Sequence, residues 1–250
     1  MPSLKKMHML KRYTLHAVDG VVGKVEAICF DGMTWKVRYL VVNTVGWLVN
    51  KRVLISPVAI GEINEAQNII YVELTRHQIE YSPSVNTDGP PSRKYEEEYY
   101  QYYDWIPYWE LDPVFRCSAS GTMALLSIAT SMPEEEHLLS STEIKGYVIA
   151  GQDGEIGHVD SFILDTQYWI VRYLEIDIRD LWPGKHALVH ADWLEGICRN
   201  ERLMSAALTH EEIINAPEYR NSNRISRNYE TQLFKHYKRP AYWRSAKNRV

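Results

Sequence analysis

The chain has little of what usually announces chemistry. Its 250 residues hold three cysteines, Cys29, Cys117 and Cys198, far apart and none in a Cys-x-x-Cys pair. That argues against a disulfide framework or a zinc knuckle and suits a reducing compartment. Buried apolar thiols are the expectation for all three. No apolar run approaches the ~20 residues of a membrane span; the best, Gly121 to Ala129, has nine. Met1 to Leu10 contains Lys5 and Lys6 but no apolar stretch of signal-peptide length. The expectation is a cytoplasmic chain with no transmembrane segment. There is no His-Glu-x-x-His, no histidine-rich tract and no Walker lysine after a glycine-rich turn. Ser118-Ala-Ser-Gly121 lacks the glycine two residues before the serine that a nucleophile elbow needs. With no nucleophile–base pair to defend, the expectation is a protein that is not an enzyme, with no cofactor and no metal.

What is there is unevenly placed. Net charge is −4, yet Arg220 to Val250 holds nine Lys and Arg against the single acid Glu230. An acidic body with a basic tail is a real asymmetry. From Tyr95 to Trp109, eight of fifteen residues are aromatic.

The chain also repeats itself at a fixed offset of 134 residues. Asp19-Gly20 returns as Asp153-Gly154, Gly23 as Gly157 and Val25 as Val159. Trp35-Lys-Val-Arg-Tyr-Leu40 returns as Trp169-Ile-Val-Arg-Tyr-Leu174. Lys51, Leu54, Leu74-Thr75, Ile79 and Pro83 match Lys185, Leu188, Leu208-Thr209, Ile213 and Pro217. Each copy reads as about five short strands between turn residues. The first has Val21 to Phe30, Lys36 to Val42, Val53 to Ile55, Val58 to Ile63 and Ile69 to Val72. The second has Glu155 to Leu164, Trp169 to Ile178, His186 to His190, Trp193 to Cys198 and Arg202 to Ala206. Thr75-Arg-His-Gln78 and Thr209-His-Glu-Glu212 have capping-box spacing. They predict a short terminal helix in each copy, stopped by Pro83 and Pro217. Many short strands at regular spacing predict a small barrel.

Asp-Gly-x-x-Gly-x-Val, a strand ending Arg-Tyr-Leu, Val53-Leu-Ile-Ser-Pro57 and Leu-Thr-x-x-x-Ile-x-x-x-Pro together resemble the PRC-barrel domain. That family is named for the cytoplasmic domain of the photosynthetic reaction centre H subunit; a related barrel forms the C-terminal half of a ribosome maturation factor. The second copy departs from the pattern, with His190-Ala191 in place of Ser-Pro and an extra Trp182-Pro183. The resemblance implies a mainly β fold of two small PRC-barrel-like barrels, each ending in a short helix. It implies adaptors for protein or RNA and transfers no active-site residues. Asp19, Gly20, Gly23, Trp35, Pro83, Asp153, Gly154, Gly157, Trp169 and Pro217 are then fold determinants. The organisation expected is a first barrel at 10–83, an aromatic linker at 84–143, a second barrel at 144–217 and a basic tail at 218–250.

Specificity is then expected outside the repeat. In the linker, Tyr99, Tyr100, Tyr102, Tyr103, Trp105, Tyr108 and Trp109 read first as rings that cover the barrels and cement the two modules; they are also the candidates for a self-association or partner surface, with a carbohydrate or ligand platform as a further alternative. In the tail, Arg220, Arg224, Arg227, Lys235, Lys238, Arg239 and Arg244 could meet RNA, an anionic membrane surface or an acidic neighbouring subunit, or form a disordered extension. Glu96 to Glu98 and Glu134 to Glu136 read as solvated acidic faces. Arg38 and Arg172 read as outward strand residues paired across the sheet, with a carboxylate-binding role as the alternative. His186, His190 and Asp192 read as barrel-rim surface, with a metal or proton-relay site as the alternative. The leading function is an adaptor or scaffold for an unknown protein partner, as a homo-oligomer. The alternatives are an RNA- or ribosome-associated protein, and a peripheral protein of electron transport or photosynthesis by likeness to the H subunit.

Overall fold

The computed structural model describes residues 4–44, 51–83, 89–111, 137–178, 185–219 and 225–245. Arg220, Arg224, Cys117, Ser118 to Gly121, Glu134 to Glu136, Trp182-Pro183 and the run from Gly121 to Ala129 lie outside these residues. The fold is mainly β, with two seven-stranded sheets and short helices. The first half contains β1 (Leu4–Lys6), α1 (Met7–Leu10), β2 (Thr14–Ala17), β3 (Gly20–Asp31), β4 (Val37–Asn43), β5 (Arg52–Ile55), β6 (Ile60–Asn64), β7 (Ile69–Val72), α2 (Arg76–Glu80), α3 (Arg93–Tyr102) and α4 (Tyr108–Leu111). The second contains β8 (Leu138–Ser140), α5 (Ser141–Ile144), β9 (Val148–Gly151), β10 (Gly154–Asp165), β11 (Ile170–Asp177), β12 (His186–His190), β13 (Leu194–Cys198), β14 (Leu203–Ala206), α6 (His210–Ile214), α7 (Arg227–His236) and α8 (Tyr242–Ser245).

Both sheets follow one plan. The first runs β5-β4-β3-β2-β7-β6 and the second β12-β11-β10-β9-β14-β13. The turn at Asp19-Gly20 joins β2 to β3, and the Asp19 carboxylate accepts the Arg76 amide at 2.7 Å, tying the turn to α2. Asp153 does the same for His210 at 2.9 Å. Gly23 and Gly157 lie where strands pass closely: a Cβ there would fall 2.0 Å from the Asn43 carbonyl oxygen and 2.2 Å from that of Asp177. Both capping boxes form, at Thr75 and Thr209. Pro57 starts a 3-10 turn over Pro57–Ala59, so Val58, expected in a strand, falls in that turn and β6 begins at Ile60. The carbonyls of Pro83 and Pro217 accept the hydroxyls of Tyr95 and Tyr229, which draws the following helix back onto its sheet.

The expected boundaries are corrected in two respects. The chain divides into one unit of Leu10–Glu143 and one of Met1–Met9 with Ile144–Val250. The described parts of the expected linker and tail therefore belong to the units, because their helices pack on the sheets. The second correction is an exchange of strands. One edge of β3 pairs with β4 along Lys24 to Phe30; the other pairs with β2 over Gly20 to Lys24 and is open beyond it. β8, which precedes the second copy, fills that opening through Cys29↔Ser140, Phe30↔Leu139 and Asp31↔Leu138. β1, which precedes the first copy, fills the equivalent opening on β10 through Leu4↔Asp165, Lys5↔Leu164 and Lys6↔Ile163. Each copy thus contributes its leading strand to the other copy's sheet.

One ion pair is specific to this pairing. The Lys6 ammonium lies 3.0 Å from a Glu175 oxygen, and both side chains are buried. At the offset of 134, Ser140 stands in place of Lys6 and Val41 in place of Glu175. Lys6 against Val41 would be a buried, unpaired charge, which costs several kcal/mol. Replacing Lys6 alone by Ala is therefore expected to destabilise the unit holding β10 by roughly 3–5 kcal/mol. The double change Lys6→Ser with Glu175→Val, which copies the other sheet, should recover most of the loss. Urea denaturation read by hydrogen exchange in β10 checks this. A cost under about 1 kcal/mol for the single change would show that the pair does not govern the exchange.

Candidate functional site

A buried polar chain begins at the turn after β3. One oxygen of Asp31 accepts the amides of Met33 and Thr34 at 3.0 and 2.8 Å. This fixes the turn that places Trp35 at φ 59°, a left-handed conformation rare for so bulky a residue. The other Asp31 oxygen lies 3.5 Å from the Arg38 guanidinium. That guanidinium lies 3.7 Å from the centroid of the Tyr108 ring. The Tyr108 hydroxyl donates to Glu96 at 2.9 Å, and the Tyr39 hydroxyl donates to the same oxygen at 3.0 Å. The second Glu96 oxygen faces Arg93 at 3.5 Å and His137 at 3.4 Å. Glu96 and Asp31 are fully buried.

The second unit repeats the chain. Asp165 accepts the Gln167 amide and pairs with Arg172 at 3.4 Å, and Trp169 has φ 50°. Arg172 lies 4.3 Å from the Tyr242 ring centroid. Tyr242 and Tyr173 donate to one oxygen of Glu230 at 2.9 and 2.7 Å, and Arg227 meets the other at 2.9 Å. Buried carboxylates persist where two or three donors satisfy them. Each set joins two adjacent strands of a sheet to a helix that follows that sheet in sequence. It acts as a lock.

Several sequence expectations are overturned here. Arg38 and Arg172 point inward rather than outward. Glu96 is buried rather than solvated, while its neighbours Glu97 and Glu98 are exposed. Of the seven aromatic candidates, Tyr99, Tyr100 and Tyr108 are core residues, with Cys29, Tyr39, Leu54 and Leu138. The Tyr99 hydroxyl donates to the Leu54 carbonyl and accepts the Ser56 amide, both at 3.1 Å. Tyr103, Trp105 and Trp109 are half-buried against this cluster, and Tyr102 is 40% exposed. Of the described tail residues, Arg227 belongs to the lock and is half-buried, whereas Lys235, Lys238, Arg239 and Arg244 are exposed.

A signal for the lock was present in the sequence. Ser92-Arg93-x-Tyr95-Glu96, Tyr103 and Tyr108-Trp109 return as Ser226-Arg227-x-Tyr229-Glu230, Tyr237 and Tyr242-Trp243 at the same offset. The repeat therefore runs beyond Pro83 and Pro217. The residues between these anchors differ enough to hide it.

The histidines divide by environment. His190 is buried among Tyr173, Trp193, Phe234 and Tyr242, not on a rim. Its Nδ1 accepts the Asp192 amide at 3.2 Å, and the Asp192 side chain is exposed. Burial, with Arg172 adding to it, pulls the His190 imidazole down to about 3. His186 joins Asp160 and Glu175 in a group whose ligand-type atoms lie within 4.8 Å of one another. Ammonium groups already balance the two acids, Lys6 on Glu175 at 3.0 Å and Lys145 on Asp160 at 3.3 Å. Cys29 is buried and its thiol is pushed up to about 12 by that burial, which leaves it unreactive. Cys198, expected buried, is half-buried.

Burial raises the Glu96 carboxyl to about 7, against the lowering pull of Arg93, of the Tyr108 and Tyr39 hydroxyls and of Arg38. A carboxyl near neutrality beside His137 has acid–base chemistry within reach. Its oxygens, however, face this chain's own tyrosines, arginine and histidine.

These features define a mainly β protein of two repeated units, each a sheet locked to its own aromatic helix. Residues 16–79, within the first copy, match the family model of the PRC-barrel domain. The second copy repeats its strand order and its turns. A search of curated proteins finds no match to the chain. Among the described residues, no helix is long and apolar enough to cross a membrane.

The two units should respond to acid in opposite directions. Glu96 is raised from 4.5 to about 7, so its contribution is fully present below pH 4.5 and lost as pH rises through 7. His190 is lowered from 6.5 to about 3, so its contribution is present above pH 6.5 and lost as pH falls. Taking the protein from pH 7.5 to 5 should stabilise the Leu10–Glu143 unit by roughly 2–3 kcal/mol and destabilise the other by roughly 2 kcal/mol. Hydrogen exchange, corrected for intrinsic rates and assigned to β4 and β11, measures both. Glu96→Gln and His190→Ser should each flatten one response; a shift of both units in the same direction would refute the assignment.

Proposed function

We propose that the protein is a non-enzymatic scaffold that binds protein partners through the outer faces of its two units. One observation carries this reading. The side chains repeated in both copies that could perform chemistry, Arg38, Tyr39, Glu96 and Tyr108 with Arg172, Tyr173, Glu230 and Tyr242, are spent on locking a helix to a sheet. The exposed residues of α3, α4, α7 and α8 differ between the copies. Interfaces are built from such faces, with aromatic anchors and a polar rim. Tyr102, Ile106 and Leu111, which are 40%, 62% and 62% exposed, supply apolar contact area on the first unit.

Nucleic acid is a weaker reading of the basic segment. Base stacking needs accessible rings. Phe234 and Tyr237 are buried, and the Arg227 guanidinium lies 4.1 Å from the Trp243 ring centroid.

Affinity purification of the full chain from its native cells should recover a protein partner at near-equal stoichiometry. Ile106→Asp with Tyr102→Ala should reduce that recovery at least about tenfold, as loss of a central apolar anchor does. A cooperative melting curve should persist, since Ile106 is exposed and Tyr102 gives up only a surface hydrogen bond to the Gln78 carbonyl and its packing on Tyr103. Turnover of a small molecule by the purified chain, abolished by Glu96→Gln, would refute the scaffold reading.

A further inference from the structure

The exposed faces of the two locked segments differ in charge, and at two equivalent positions after the helices the sign is opposite. On the first unit, Lys94, Glu97, Glu98, Gln101 and Tyr102 form the outer stripe of α3, followed by exposed Asp104, Ile106 and Glu110. That surface holds four carboxylates and one ammonium. On the second unit, the equivalent surface of α7 and α8 exposes Lys235, Lys238, Arg239 and Arg244, and its acid, Glu230, is buried. Asp104 and Lys238 occupy equivalent positions, as do Glu110 and Arg244. Asp104 has φ 55° and Lys238 φ 52°, so the same left-handed helix end holds opposite charges.

We propose that these faces dock on each other between molecules, the acidic face of one copy of this chain on the basic face of a second copy. Each molecule carries one face of each sign, so the contact is heterologous and adds molecules head to tail, as a ring or an open chain. Complementary fields of this kind steer association and fix register. Tyr102, Ile106 and Leu111 give the acidic side apolar area that the charges alone lack. An RNA or membrane surface fits less well. The described residues 225–245 expose no large apolar side chain, and the acidic face would repel phosphate. The proposal deepens the scaffold reading by naming one partner, and it rests on the outer faces being free to bind.

Sedimentation velocity of the full chain between 20 and 500 mM salt tests it. Association should be strongest at low salt and weaken by on the order of tenfold or more in Kd across the series, since exposed charges are screened beyond ~8 Å at physiological salt. Two variants sharpen the test. Glu97→Lys, Glu98→Lys, Asp104→Lys and Glu110→Lys make both faces basic. Lys235→Glu, Lys238→Glu, Arg239→Glu and Arg244→Glu make both acidic. Each variant should be monomeric alone, with a melting curve that shows it folded, and an equimolar mixture should associate again. Salt-independent association, or a mixture that stays monomeric, overturns the proposal. So does a monomeric wild type whose basic face binds a phosphate homopolymer or phosphatidylserine vesicles instead. If self-docking fails on these criteria while the full chain still recovers a protein partner from cells, the scaffold reading stands; if no partner is recovered either, both readings fall.

Discussion

Each unit depends on a buried carboxylate that accepts two tyrosine hydroxyls on one oxygen and faces an arginine with the other. Glu96 and Glu230 project from helices; Tyr39 and Tyr173 come from strands, Tyr108 and Tyr242 from the segment after each helix. Without its donors, such a charge would cost several kcal/mol to bury. With them, it fixes helix against sheet in one orientation, since hydrogen bonds are directional where apolar contact is not. Arg38 and Arg172 extend the lock to Asp31 and Asp165, which also shape the turns that hold Trp35 and Trp169. A turn, two strands and a helix are thereby coupled through one polar path.

The two locks are alike in plan and unlike in surroundings. His137 stands beside Glu96, and the burial of that carboxyl outweighs its cationic and hydrogen-bonding partners. In the other unit, Arg227 approaches Glu230 to 2.9 Å. Ser56 and Tyr99 in the first unit stand where His190 and Leu233 stand in the second, so the ring sits on the helix in one unit and at the end of β12 in the other.

Strand exchange makes the two copies interdependent. A long central strand, β3 or β10, pairs along one edge with a single neighbour and leaves half of its other edge open. An open edge is a site for another strand. Here the other copy's leading strand fills it, and Lys6 with Glu175 distinguishes which strand enters which sheet.

The sequence by itself determined the two copies, their turns and their capped helices. Asp19-Gly20, Gly23 and the Thr75 box act within a few residues or through a fixed offset, so periodicity reveals them. It also contained the lock, in Ser92-Arg93-x-Tyr95-Glu96 and its counterpart at Ser226. Outer positions differ between the copies around those anchors, acidic in one and neutral or basic in the other, and composition then read as linker and tail. Only the tertiary structure decided that Glu96 leaves a run of three glutamates for the core, because burial depends on which helix face meets the sheet. It alone shows the exchange as well. Leu4–Lys6 is a three-residue strand, and the carboxylate that its lysine meets, Glu175, lies 169 residues away.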